Sequence, residues 1–197
     1  MDSLPFSQAC ENNKAAILGV LRREFAECSR VLEIGSGTGQ HACYFAAQLP
    51  HLTWQPTDIA QNLPVLHPRC AAYPGDNLLP EVALDVCDDP WPLPVPDAVF
   101  TANSLHIMPF ESVSCLFAAL ARHADHDVVL AVYGPFNYGG RYTSESNARF
   151  DQWLAQQHPL SAIRDFEAVD ALARDAGFAL ASDHAMPANN RLLVWRN

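Results

Sequence analysis

The sequence predicts one α/β domain, a largely parallel sheet covered by helices on both faces. Three observations carry that prediction. An apolar strand at residues 31–34 runs into alternating glycines at 35, 37 and 39. An acid, Asp58, closes a second strand-like segment about twenty residues further on. Strand-like and helix-like stretches then alternate as far as Trp195, the pattern of an α/β chain.

The elements follow in order. Residues 11–27 place Ala15, Ile17, Leu18, Leu21 and Phe25 at helical spacing, so a helix precedes the first strand and can lie over the ligand edge of the sheet as a lid. Residues 31–34 are the first strand. The glycines after it permit left-handed backbone angles and close approach of a ligand. A helix from His41 to Gln48, with Ala42, Phe45 and Ala46 on one face, directs the free N–H groups of its first turn at the same place. Residues 52–58 form the second strand. Pro64 and Pro68 break residues 59–73 into a short helix and loop, and residues 83–86 form the third strand. The proline-stiffened run 88–96 excludes a regular element.

Residues 97–104 read as the fourth strand and 110–123 as a helix. The unbroken apolar run ending at Tyr133 suits a fifth strand in the middle of a parallel sheet. Helices at 145–157 and 166–176 follow, the second closed by Gly177. Strands at 178–184 and 191–195 end the chain, and the short link between them makes that pair antiparallel.

Size and composition narrow the function. At 197 residues and 49% hydrophobic content the chain fits one domain, 1–197, with 1–28 as a lid-helix region and 29–197 as the core. A formal charge of −10 without a basic run opposes nucleic-acid partners. The cysteines at 10, 28, 43, 70, 87 and 115 lack C-x-x-C spacing and read as free thiols of a reducing compartment, with neither disulfides nor zinc. Asp2, Pro5, Glu11 and Lys14 interrupt any apolar stretch at the N-terminus, so no signal peptide or membrane span is expected, and the location expected is cytoplasmic. The polar cluster His123, Asp125, His126 and Asp127 reads as a helix end running into a strand, so no metal is expected.

The turn itself selects a ligand class. A dinucleotide fingerprint beginning at Gly35 requires a glycine at position 40, which is Gln40. Glu33 at the mouth of the turn repels a pyrophosphate and suits a ligand bearing an ammonium or sulfonium. Asp58 is placed to accept the protons of both ribose hydroxyls.

On these residues the chain resembles the class I S-adenosylmethionine-dependent methyltransferases, whose first motif has the form E-x-G-x-G-x-G and whose second strand ends in a ribose-binding acid. Residues 7–13 (SQACENN), 134–141 (GPFNYGGR) and 186–191 (MPANNR) are similar to those of the DUF938 or methyltransferase-like protein 26 group, a likeness running from near residue 5 to the C-terminus. It implies a Rossmann-like seven-stranded sheet with the last strand antiparallel, S-adenosyl-L-methionine as cofactor and S-adenosyl-L-homocysteine as product. Carried over by position, Gly35, Ser36, Gly37 and Gly39 shape the turn, Glu33 serves the ammonium end directly or through water, and Asp58 holds the ribose. Asp85 and Val86 meet the adenine through a carboxylate and a backbone N–H, unless Asp85 is only a strand-end turn acid. Asn103 lies beside the methionine moiety or the transferred methyl, and Asn13 reaches the cofactor carboxylate if the leading helix folds over the cleft.

The acceptor side rests on fewer residues. His106 is the candidate general base, an imidazole able to take a proton near neutral pH, against the alternative of a histidine satisfied by the backbone. The sequence 103–106 (NSLH) departs from the N-P-P-Y motif of amino-directed methylases. Tyr133, also a catalytic candidate, clusters with Asn137, Tyr138 and Arg141 after the fifth strand. Arg141 can clamp a carboxylate or phosphate, or merely pair with Glu145. Asn190, with Asn189, reaches the same pocket or shapes the final hairpin. Trp91, Trp153 and Trp195 read as packing residues. The expected activity is in-line methyl transfer to a small, possibly anionic acceptor by a monomer or homodimer. Cyclisation or cleavage of the cofactor, or binding without turnover, are the alternatives.

Overall fold

The computed structural model describes residues 4–124 and 126–197; Asp2 and Asp125, named above, lie outside the described residues. The chain opens with α1 (Gln8–Glu24), capped by the Ser7 side chain, which accepts from the Cys10 N–H. There follow β1 (Arg30–Ile34), α2 (Gln40–Gln48), β2 (Thr53–Asp58), a 3-10 turn (Ala60–Asn62), α3 (Leu63–Ala71), β3 (Val82–Ala83), β4 (Ala98–Ala102) and α4 (Phe110–His123). The second half runs β5 (Val129–Gly134), β6 (Phe136–Asn137), α5 (Glu145–Gln157), β7 (Arg164–Asp165), α6 (Phe166–Asp175), β8 (Ala179–Met186), a 3-10 turn (Pro187–Asn189) and β9 (Asn190–Arg196).

Seven strands form one sheet in the order β3-β2-β1-β4-β5-β9-β8, while β6 and β7 pair separately. In the large sheet β9 alone runs opposite to the other six strands, making antiparallel pairs with β5 and β8. The order reverses between β1 and β4, the switch point where open α/β sheets bind ligands beyond the strand C-termini.

Strand periodicity divides the core between two faces. Val31, Ala98, Phe100, Ala131, Leu192 and Val194 pack on the α1 and α2 side with Phe25, Phe45 and Trp54. Leu32, Ile34, Val99, Leu130, Leu193 and Trp195 pack on the opposite face with α4 and α6. Both faces are therefore dry in the middle of the sheet, which is why β5 is an unbroken apolar run.

The structure corrects several expectations. The third strand ends at Ala83, because after the Leu84 N–H bonds the Asp58 carbonyl at 2.9 Å the chain turns. Leu84 and Val86 are buried in that loop, and their burial produced the strand-like pattern. The helix α3 forms despite its prolines. Pro64 lies in the first turn, where an N–H has no intrahelical partner, and Pro68 removes one bond from a helix whose Leu66 is fully buried. The two-residue pair β6 and β7 was not foreseen.

The expectation of six free thiols is also corrected. Cys87 and Cys115 form a disulfide with Cα atoms 5.0 Å apart, leaving four free cysteines. Local spacing reports only neighbouring pairs, whereas α4 brings Cys115 to the loop after β3 from 28 residues away. Among the described residues no helix is long and apolar enough to cross a membrane.

Candidate functional site

The ends of β1, β2, β4 and β5 share one edge of the sheet, and the glycine turn rises from it. Gly35 has φ +73°, and a Cβ there would stand 2.5 Å from Ser104 Oγ, so this glycine lets the loop after β4 approach β1. Gly37, with φ +55°, has nothing within 4 Å of where a Cβ would lie, so it leaves room at the mouth of the turn. Ser36 stitches the turn to β2: its N–H donates to the Thr57 carbonyl at 2.9 Å and its hydroxyl accepts from Thr57 N–H at 3.2 Å. Gly39 caps α2 without a side-chain hydrogen bond, so the first-turn N–H groups of that helix keep their capacity for a ligand.

Asp58 is tied to this turn. Its Oδ2 accepts from the Gly37 N–H at 2.7 Å, and Oδ1 accepts from Ile59 N–H and Asn62 Nδ2, both at 2.8 Å. Three of the roughly four lone-pair positions of a carboxylate are thus occupied within the protein. A ribose holding both hydroxyls here must share or displace the Gly37 contact.

Glu33 lies beneath the turn, on the α1 and α2 side, and is only 2% exposed. Its Oε2 accepts from Trp54 Nε1 at 2.8 Å. Burial pushes its pKa up to about 7 against the hydrogen bonds from Trp54 and Ser36, with the charge of Asp58 adding to the rise. Asp85 is exposed just beyond β3, where its Oδ1 accepts from Cys87 N–H at 3.0 Å in a turn-acid arrangement. The Val86 side chain is buried and its carbonyl takes Trp91 Nε1 at 3.2 Å.

A polar seam crosses the α1 side of the edge. Asn13 of α1 is buried, and its Oδ1 lies 2.6 Å from Nε2 of His41 on α2. Burial depresses the His41 pKa to about 4, so the ring is neutral, and an Nε2–H donor to Asn13 is the tautomer that satisfies the pair. The hydroxyl of buried Tyr133, at the end of β5, interacts with the side chains of Asn13 and Asn190. Burial raises the Tyr133 pKa against those two contacts, so the phenol stays protonated. Asn190 also donates from Nδ2 to the Pro187 carbonyl at 3.1 Å, within the β8–β9 connection.

His106 lies on the other side of the β4 and β5 ends. Asn103, which begins the loop, takes φ +59°, and its N–H donates to the Tyr133 carbonyl at 2.8 Å. The His106 ring sits over Gly134, where a Cβ would come 3.5 Å from Nδ1, and meets Phe150 of α5 edge-on at 5.4 Å. Burial, then the charge of Arg164, push its pKa down to about 4. Among the described residues neither ring nitrogen makes a hydrogen bond, so this histidine is not satisfied by the backbone.

The loop after β5 divides the remaining candidates. Asn137 Oδ1 is buried without a partner among the described residues. Tyr138 turns away toward β8, donating its hydroxyl to Asp183 at 2.8 Å and stacking on Phe166. Gly139 and Gly140 form a tight turn closed by reciprocal backbone bonds between Tyr138 and Arg141. Arg141 is exposed, and Glu145 pairs with Arg149 at 3.8 Å instead. Trp91 and Trp195 are core residues, whereas Trp153 is half exposed and stacked on Phe150.

The sequence reading missed Gln40, His41, Phe150 and Arg164 as parts of this edge. Gln40 alone carried a signal, as the residue standing where a fingerprint glycine would be. A cavity of about 480 Å³ opens at the opposite edge among Val31, Leu93 and Val95, away from the turn and its acid.

A family model described as "Protein of unknown function (DUF938)" matches residues 4–197. Solved structures show the same fold. An O-methyltransferase family 2 protein from Planctomyces limnophilus, in complex with apigenin, superposes with TM-score 0.81 at 15% identity over 96% of this chain and 58% of that one. An O-methyltransferase family protein from Burkholderia thailandensis gives 0.79 at 16% identity, covering 93% and 56%. Human N-acetylserotonin methyltransferase, in complex with SAM, gives 0.74 at 15%, covering 93% and 54%. The chain spans little more than half the length of these proteins.

Proposed function

The chain belongs to the DUF938 family and has the methyltransferase fold, and from these premises we propose that it transfers a methyl group from S-adenosyl-L-methionine to a hydroxyl of a small acceptor. The observation that carries the reading is the neutral, unpartnered imidazole of His106 at the same sheet edge as the glycine turn and Asp58.

The turn fits such a cofactor, since Gly37 faces open space and α2 presents uncapped N–H groups. Asp58 takes the ribose, Asp85 and the Val86 N–H the adenine, and Gly35, Ser36, Gly37 and Gly39 the methionine end. Glu33 acts on the ammonium from beneath the turn. Asn13 and Asn103 flank the methionine moiety. When bound, the cofactor supplies an electrophilic methyl on a sulfonium.

His106 accepts the acceptor's hydroxyl proton as the new carbon–oxygen bond forms and the carbon–sulfur bond breaks. An imidazolium appears as the sulfonium charge is lost, so the buried edge never carries an added positive charge. A ring with so low a proton affinity favours an acidic hydroxyl. Structurally similar proteins include O-methyltransferases, one of them in complex with the phenol apigenin, which supports oxygen as the acceptor atom. Asn137 Oδ1 takes a donor of the acceptor, Arg141 an anionic substituent, and Tyr133, held by Asn13 and Asn190, orients the pocket wall with its protonated hydroxyl. Tyr138 contributes its ring rather than its hydroxyl.

The charge of −10 supports a small-molecule partner over nucleic acid, and the protein is a cytoplasmic monomer or homodimer in this reading. Cofactor cleavage or mere binding leaves His106 without a task.

The test is incubation with methyl-labelled cofactor and a panel of phenols and aliphatic alcohols, read by mass spectrometry. Labelled methyl ether and S-adenosylhomocysteine are expected, both lost in His106→Gln with cofactor binding retained. Methylthioadenosine, or no turnover on any acceptor, overturns the reading.

A further inference from the structure

The loop carrying His106 is held from outside by one short segment. Four consecutive carbonyls of that loop each receive a donor from residues 161–164. Arg164 Nε donates to Leu105 at 2.8 Å, Ala162 N–H to His106 at 3.0 Å, Ser161 Oγ to Ile107 at 2.7 Å, and Arg164 Nη2 to Met108 at 2.5 Å. Arg164 Nη2 also bonds the Leu160 carbonyl at 2.9 Å, closing the segment on itself. The loop's own turn uses amides, the Ile107 and Met108 N–H groups both meeting the Ser104 carbonyl at 3.0 Å. Its carbonyls are therefore left for outside donors, and the segment takes all four, Arg164 the outer two and Ala162 and Ser161 the inner two.

The ring of His106 has no hydrogen bond of its own among the described residues, so its direction is set by its backbone, by Gly134 below and by Phe150 beside it. We propose that residues 161–164 are the positioning device for His106, with Arg164 as the principal positioning residue, an inference that rests on reading His106 as the proton acceptor. Neutral donors would satisfy the same carbonyls at lower desolvation cost, because a guanidinium on a residue only 9% exposed is expensive to bury. What the charge adds to the larger effect of burial is a field that keeps the resting His106 ring unprotonated. The Arg164 guanidinium lies 5.8 Å from the Phe110 ring, which helps hold it.

The groups around the ring bear on any titration. Gly134 and Phe150 bring no charge. Arg164 faces it from β7, and behind Arg164 stands Asp151 of α5, whose oxygens accept from Ile163 N–H at 2.6 Å and the Tyr142 hydroxyl at 2.7 Å.

The experiment is histidine-ring NMR on the isotope-labelled full chain, with His106→Gln identifying the signal and S-adenosylhomocysteine calorimetry as the control. Arg164→Gln is expected to raise the His106 midpoint by the smaller, charge-dependent part of its depression, with burial still holding it below the ordinary range, and to broaden its signal, with affinity for S-adenosylhomocysteine kept within about twofold. Arg164→Lys keeps the charge and loses the fork, so it should broaden the signal while the midpoint stays low. Ser161→Ala removes one carbonyl contact and gives the same broadening on a smaller scale if Arg164→Gln does not fold. Unchanged line shape and midpoint in folded variants overturn the proposal. None of these readouts needs an acceptor, so undiminished methyl transfer in His106→Gln would sink the reading of His106 separately.

Discussion

Gln40 and Ser7 exchange two hydrogen bonds: the Ser7 N–H donates to Gln40 Oε1, and Gln40 Nε2 donates back to the Ser7 carbonyl at 3.3 Å. The same amide accepts from Thr38 Oγ1 at 3.0 Å and donates to Glu11 Oε1 at 2.9 Å, so all its hydrogen-bonding capacity is used. Position 40 is where a dinucleotide turn needs a glycine. Here its side chain fastens the start of α1 to the turn, and Arg69 of α3 reinforces this by donating to the carbonyls of Thr38 and Pro5.

Gln40→Ala should therefore release residues 5–11 while the sheet stays intact. The expected cost is about 1–3 kcal/mol, the scale of orphaned partly buried partners. Hydrogen exchange should quicken in the first turn of α1 and not in β5; uniform acceleration would count against a local latch.

Glu33→Gln should alter how stability depends on pH. The folded carboxyl titrates near 7 against a usual 4.5, so the native state holds the extra proton between those values. Its contribution is fully present below about 4.5 and is lost as pH rises through 7, by up to about 3 kcal/mol. Urea denaturation should find the variant close to wild type at pH 5 and more stable than it at pH 8. Parallel profiles would show that Glu33 does not titrate in this range.

Asp58→Asn should weaken binding of S-adenosylmethionine at least about tenfold by calorimetry, since a neutral amide gives up charge-assisted acceptance from the ribose. It also loosens the Gly37 contact, so part of the loss should appear as a more mobile turn. If Asp58→Ala and Glu33→Ala both bind the cofactor as wild type does, the cofactor assignment is wrong.

Reducing Cys87–Cys115 should lower stability by about 2–4 kcal/mol, the usual range for a native bridge. Denaturation with and without dithiothreitol reads this, and Cys115→Ser should abolish the difference. Because Cys87 lies in the same loop as Asp85 and Val86 and donates its N–H to Asp85, adenosine-end affinity should fall alongside.

Much of this was visible in local sequence. The helices at 110–123 and 145–157 lie where periodicity put them, the second begun by Ser144, whose hydroxyl accepts from Asn147 N–H. The glycine turn and Asp58 were legible because their geometry is set within one strand, turn, helix, strand unit. What escaped was long-range pairing. Tyr138 finds Asp183 across 45 residues, Arg164 reaches Leu105 across 59, and Asn13 meets His41 across 28. No spacing rule encodes such partners, because the sheet order brings them together.

If the cofactor's ammonium settles above Glu33 as proposed, the buried carboxyl gives ligand uptake a thermodynamic signature. A positive charge settling above the turn favours the ionised carboxylate and expels its proton, so association exchanges protons with the solvent. The measured heat then varies with the ionisation enthalpy of the buffer, and affinity climbs with alkalinity through neutral pH. The residue that weakens the ligand-free fold in base tightens the complex under the same conditions.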